Sequence, residues 1–185
     1  NNTQRIFSTH TPFKFLSDSI RESKCKIIYI CRNPLDQFIS QRQFFLENKL
    51  GKDGVPLGLD ETFDMFCEGT HPYGPFWEQM VGYWNAHLEN PAKVLFLTYE
   101  ELKHDISFNV KKIAKFLGRP FSSEEEEKGL IEEISRLCSF NSLKSLVFDQ
   151  HLEVNKNGYV YDGVLKNSSF FRKGEVGDST NYLTK

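Results

Sequence analysis

Three short apolar runs, Arg5 to Thr9, Lys26 to Cys31 and Val94 to Thr98, each give way to a stretch of helical period. Runs of this length bounded by turn residues are the pattern of strands buried in a sheet. The β-α order they share predicts a parallel sheet flanked by helices, an α/β fold. Helices are expected over Pro12 to Glu22, Pro34 to Asn48, Glu61 to Glu68 with Asp60 as cap, Pro75 to Glu89, and Ser107 to Leu117 with Gly118 as the stop. Ser123-x-x-Glu126 reads as a capping box opening one more helix, whose apolar positions Leu130, Ile131, Ile134, Leu137 and Cys138 share a face. The glutamates that begin at Glu124 suit the positive end of that helix and need no functional role. Gly51 to Leu59 is a glycine-rich connector, and no internal repeat is present, so the 185 residues are read as a single domain, 1–185.

Candidate chemistry sits where the second strand hands over to its helix. Pro34 starts the helix without losing a hydrogen bond, which puts Arg32 at a strand's C-terminal end. Open α/β sheets bind ligands outside the strand C-termini, and there a guanidinium offers a planar fork to a phosphate. Ser40 follows nearly two turns into the helix and would present a hydroxyl near the same ligand. An ordinary strand-to-helix turn with a surface arginine is the competing reading.

A second cationic element lies near the other end. In Phe170-Phe171-Arg172-Lys173-Gly174-Glu175-Val176-Gly177-Asp178, two adjacent cations stand among two glycines, after a polar stretch from Asn155 to Ser169. Glycines let successive backbone N–H groups turn inward as an anion nest, and Arg172 and Lys173 supply charge. The competing reading is a solvated loop with a chance cation pair, which Glu175 and Asp178 support. No Walker A run occurs, which counts against a nucleotide kinase.

Composition narrows the classes. The formal charge of -2, from 23 basic and 25 acidic residues, argues against a surface built for nucleic acid or acidic membranes. No apolar run approaches membrane-spanning length, and the opening residues are too polar for a signal peptide. The four cysteines form no metal-like cluster; Cys25 and Cys31 read as buried strand residues, and a reducing, cytoplasmic setting fits. No metal-ligand spacing such as HExxH is present. Seventeen phenylalanines chiefly fill a core, although an aromatic surplus also suits a cleft for flat or apolar molecules.

Several of these segments together resemble one family. Cys31-Arg32-Asn33-Pro34, the spacing from Arg32 to Ser40, and Arg172-Lys173-Gly174 are similar to the two nucleotide-binding regions of cytosolic sulfotransferases, which use 3′-phosphoadenosine 5′-phosphosulfate (PAPS). Phe7-Ser8-Thr9-His10-Thr11-Pro12 resembles the segment that bears the family's catalytic histidine. Phe63 to Gly69, Gly74 to Trp77 and Gly82 to Trp84 are similar to the plant soluble branch, and Leu95 to Leu102 and Leu137 to Phe140 resemble two more family segments in the same order. The resemblance implies a P-loop-type sulfotransferase fold, incomplete at the N-terminus. In the family a phosphosulfate-binding loop precedes the first strand recognised here, and a dimer motif follows just beyond the position of Lys185. The chain as it stands is therefore expected to lack a central strand and that loop's lysine, to bind nucleotide poorly and to turn over slowly; monomer and homodimer both stay open.

The resemblance also assigns roles. His10 is the expected general base, suited by a histidine's intrinsic pKa of about 6.5. Arg32 and Ser40 are implied to hold the 3′-phosphate, with Arg172, Lys173 and Gly174 closing from the other side, while Tyr99, Cys138 and Phe140 fall where the family contacts adenine. For the last three, plain core packing is an equally good reading. The product would be 3′-phosphoadenosine 5′-phosphate (PAP), and the acceptor a small hydroxylated molecule such as a phenol or steroid, in a cleft shaped partly by Phe13, Phe44, Phe45, Phe76 and Trp77. Three positions depart from the family pattern: Ser8 replaces a frequent lysine, Gln79 a frequent histidine of plant members, and Ser179 a tryptophan. The last departure keeps an alternative alive, a degenerate paralogue that binds nucleotide or a partner without catalysis.

Overall fold

The computed structural model describes residues 5–50, 57–150 and 167–183. Two strands, β1 (Ile27–Cys31) and β2 (Val94–Thr98), pair in parallel with Ile27 opposite Val94 and Cys31 opposite Thr98. The α/β order expected from the apolar runs is thus present. Helices α1 (Asp18–Arg21), α2 (Pro34–Glu47), α3 (Leu59–Glu68) and α4 (Phe76–Glu89) precede β2, and α5 (Tyr99–His104), α6 (Ile106–Phe116), α7 (Ser123–Glu127), α8 (Leu130–Leu137) and α9 (Phe140–Gln150) follow it. Short 3₁₀ turns occupy Phe13–Phe15, Asn167–Phe170 and Asp178–Asn181.

Parallel strands must be joined by a long crossover, and here α2, α3 and α4 supply it. The crossover leaves both strand C-termini side by side, each running straight into a helix. At β1 the Asn33 side chain accepts the N–H groups of Leu35 (3.0 Å) and Asp36 (3.4 Å), and Pro34 fills the first helical position. At β2 a capping box joins Thr98 and Glu101. The backbone N–H of Asn33 donates to Glu100 Oε1 at 2.9 Å and ties one corner to the other.

One core cluster, Leu16, Tyr83, Ala86 and Val94, is flanked by Phe13, Ile27, Tyr29 and Phe96 and covers one face of the strand pair. Tyr29 and Tyr83 stack with centroids 4.2 Å apart, and the Tyr83 hydroxyl donates to the Thr11 carbonyl at 2.8 Å, so the aromatic layer also anchors the N-terminal segment. The second cluster, Phe38, Ile39, Phe66 and Phe76, is flanked by Leu59, Phe63, Met80, Tyr182 and Leu183. It packs the C-terminal residues against α2.

Several expectations are corrected. Residues 5–9 form no strand, and Ile6 and Phe7 are 97% and 83% exposed. A strand exists only through its ladder, and the described residues contain two strands that pair with each other; the Thr9 side chain instead caps Thr11 locally. The helix expected over Pro12 to Glu22 breaks at Leu16 and Ser17, both extended, because Leu16 is drawn into the core. The capping box belongs to Ser122 and Glu125 rather than Ser123 and Glu126, and the long helix after it divides at Gly129, whose φ of 72° is left-handed. Helices α5 and α9 were not legible in the pattern. Cys25 is exposed and precedes β1, whereas Cys31 is buried as expected. The connector at 51–56 and the polar stretch at 155–166 lie outside the described residues. No helix among the described residues is long and apolar enough to cross a membrane.

Leu97 is fully buried in β2, and Leu97→Ala is expected to cost about 2–5 kcal/mol. Urea unfolding of the variant beside the parent chain measures it; a loss under about 0.5 kcal/mol, the scale of a surface substitution, contradicts the packing.

Candidate functional site

The paired ends of β1 and β2 place Arg32 next to Tyr99, and the guanidinium lies over the phenol ring at 4.6 Å from its centroid. Burial raises the Tyr99 hydroxyl above its ordinary pKa even with Arg32 opposing, so it stays protonated. Burial, then the nearby Glu100 carboxylate, push the Cys31 thiol up to about 11. It is therefore no nucleophile at neutral pH.

The late loop folds onto this corner. Arg32 Nη2 donates to the Glu175 carbonyl and lies 3.6 Å from Asp36 Oδ2, one turn into α2. Asp36, 1% exposed, accepts the backbone N–H of Gly177 (2.6 Å) on Oδ2 and of Ser179 (2.9 Å) on Oδ1. Burial alone would raise this carboxyl, but Ser179, Gly177 and Arg32 hold it below the usual carboxylate value. Gly174 and Gly177 both adopt left-handed φ, 68° and 81°, the backbone an anion nest requires. The anion against the Gly177 N–H is the protein's own Asp36.

Arg172 and Lys173 are not a chance pair on a solvated loop. Arg172 Nη1 and Lys173 Nζ (2.6 Å) both donate to Asp178, which also accepts from Asn181 Nδ2 at 3.0 Å. Asp178 is buried; burial opposes its charge, yet these three donors hold its carboxyl far below the ordinary range. The same contact raises Lys173. Tyr182 packs under both cations.

Among the expected nucleotide residues, Arg32, Tyr99, Arg172, Lys173 and Gly174 thus belong to one folded corner. Phe140 joins them: a Cβ built on Gly174 would sit 2.6 Å from its ring, and its centroid is 5.7 Å from that of Phe171. Ser40 lies one turn beyond Asp36 on α2, half-buried, and its hydroxyl has no hydrogen-bond partner among the described residues. Cys138 is exposed and caps the C-terminal end of α8. The Nε–H donors of Arg32 and Arg172 are buried and unpartnered among the described residues.

His10 stands on an exposed segment, where Gln79 Nε2 donates to its carbonyl at 2.7 Å and its ring lies 4.7 Å from that of Tyr73. No hydrogen bond, ion pair or ring contact joins His10 to Arg32 or Arg172 among the described residues. Of the aromatics expected to shape a cleft, Phe76 is buried in the core and Phe44 packs on Phe170. The sequence pattern did not single out Asp36 and counted Asp178 toward the competing solvated-loop reading. For Asp36 the available signal was its place four residues after Arg32, in the first turn of a helix.

Comparison with known proteins supplies the family and the fold. Solved structures share the fold: mouse sulfotransferase SULT7A1 complexed with PAP aligns with a TM-score of 0.72 at 29% identity, covering 95% of this chain and 58% of the mouse one. A retinol dehydratase in complex with androsterone and inactive cofactor PAP aligns at 0.68 and 22%, over 94% of this chain and 46% of that one. The sequence profile described as "Sulfotransferase domain" matches residues 1–185. Cytosolic sulfotransferase 14 of Arabidopsis thaliana is 48% identical over 181 residues, 97% of this chain and 50% of the relative. Cytosolic sulfotransferase 6 of the same plant is 43% identical over 184 residues, 100% of this chain and 54% of the relative. The chain belongs to the sulfotransferase family. It spans about half the length of the relatives it matches.

Two outcomes follow from the site's packing and charge. Gly174→Ala meets both left-handed backbone strain and the Phe140 ring, so its destabilisation is expected to shrink in a Phe140→Ala background. Equal penalties in the two backgrounds, read by thermal unfolding, contradict the contact. Because the folded-state pKa of Asp178 is depressed, its contribution is complete above the unfolded value of about 3.9 and is lost as pH falls below that toward the folded value. Stability is therefore expected to fall more steeply with acid in the parent than in Asp178→Asn. Parallel pH profiles below about pH 4 contradict the pairing.

Proposed function

We propose that the full-length protein transfers a sulfuryl group from PAPS to a hydroxyl of a small-molecule acceptor, as a plant-type cytosolic enzyme. The observation that carries the reading is the convergence of Arg32 with the Arg172–Asp178 loop, which gathers Arg32, Arg172 and Lys173 about one strand-to-helix corner. Guanidinium and ammonium groups gathered in this way suit a phosphate, and the mouse relative is complexed with PAP.

In this reading Arg32 and Ser40 grip the 3′-phosphate, Arg172, Lys173 and Gly174 close on it, and Tyr99 and Phe140 flank the adenine. Cys138 is the remaining expected contact, from the end of α8. When bound, PAPS supplies an activated sulfuryl group on a good leaving group. The chain's own residues keep it in place: fixed positive groups need no reorganisation as charge develops. His10 accepts the proton of the acceptor hydroxyl, and the exposed position of its ring gives an incoming molecule access. The Gln79 hydrogen bond to the His10 carbonyl steadies that segment.

Transfer of labelled sulfate from PAPS to a panel of phenols and steroids tests the reading with the full-length protein. His10→Ala is expected to lower turnover by about 10²–10⁴-fold while PAP affinity, measured by calorimetry, changes less than about twofold. Undiminished turnover in that variant removes His10 from the mechanism. The second reading, nucleotide binding without catalysis, is favoured by Ser179, which stands at the family's tryptophan position and is buried against Asp36. Tight PAP binding with no transfer to any acceptor selects it.

A further inference from the structure

We propose that Asp36 is a positioning residue for the nucleotide clamp: it sets the place of Arg172 and Lys173 by holding the backbone of the loop that carries them, without touching the ligand. The inference rests on the nucleotide reading above and adds to it the device that aligns the two halves of the site.

Asp36 lies in the first turn of α2 and is 1% exposed. A buried carboxylate is costly unless its oxygens are fully engaged, and here both are. Oδ1 takes the Ser179 N–H; Oδ2 takes the Gly177 N–H and faces Arg32 Nη2 at 3.6 Å. An apolar side chain would be cheaper to bury, but it would strand two N–H groups and one guanidinium edge.

The consequence lies in the residue between. With the N–H groups of 177 and 179 both drawn to Asp36, Asp178 has no freedom to translate, and its side chain is engaged by Arg172 and Lys173. A chain of contacts therefore runs from Asp36 through Gly177 and Ser179 to Asp178, and from Asp178 to the two cations. Arg32 reaches the same loop independently through the Glu175 carbonyl. Because Asp36 and Arg32 stand on one strand-to-helix corner, the carboxylate registers the late cations against the early one. Preorganisation of this kind tightens binding by removing the ordering cost from the binding step.

A general structural role and a positioning role predict different kinetics. In the full-length protein, Asp36→Asn keeps the shape of the side chain but loses its charge and one acceptor. Positioning predicts that KM for PAPS and Kd for PAP rise about ten- to a hundredfold, since each hydrogen bond to a charged acceptor is worth a factor near that size. KM for the acceptor then stays within about twofold. A variant that shows unchanged KM for PAPS and merely a smaller active fraction overturns the proposal. If the variant does not fold, the parent protein supplies the second measurement. Amide hydrogen exchange at Gly177 and Ser179 is expected to be slowed in the nucleotide-free state to the degree seen in β1 and β2, and rapid exchange at both overturns the proposal. A parent protein that binds no PAP overturns the nucleotide reading and this inference together. Binding by the parent, matched by equal binding in Asp36→Asn, overturns the inference alone.

Discussion

A carboxylate buried at the start of α2 holds together parts of the chain about 140 residues apart: Asp36 accepts the N–H groups of Gly177 and Ser179 while facing Arg32. The interaction depends on earlier steps. β1 must pair with β2 for Arg32 to emerge beside Tyr99, and Asn33 with Pro34 must start α2 at once for Asp36 to fall one turn away. The second aromatic core then brings Tyr182 and Leu183 against α2, which places the preceding loop within reach. Hydrophobic burial draws the segments together and the carboxylate fixes their register.

The same logic explains why the cations are held before any ligand arrives. Arg172 and Lys173 share Asp178, and Arg32 is shared between Tyr99, Glu175 and Asp36. Groups tethered in this way lose little conformational freedom on binding an anion.

Much of this was legible in the sequence where a local pattern decides the outcome. β1, β2, α2 and α4 follow from unbroken apolar runs, a proline at a helix start and the helical period, and the boundaries differ from expectation by a residue or so. Arg32 was identifiable from its place at a strand end before Pro34, and Arg172 and Lys173 from the glycines beside them. What failed depends on partners or on single torsions. Arg5 to Thr9 has the composition of a strand but no ladder among the described residues, Ser122 and Ser123 are equally good caps on paper, and Gly129 divides a helix through one left-handed φ. Asp178 looked like a solvating charge because sequence spacing does not show which way a loop turns. Asp36 carries no distinctive signal of its own, since an acidic residue in a first helical turn is already explained by the helix dipole.

The central claim is that the early corner and the late loop form one phosphate site. The crystal structure of the full-length protein with PAP tests it most directly, through the distances from Arg32, Ser40 and Arg172 to the 3′-phosphate. The account predicts that all three lie within hydrogen-bonding distance of that one group, with Asp36 still on Gly177 and Ser179. A phosphate bound elsewhere, with Arg32 and Arg172 facing separate regions of solvent, contradicts it.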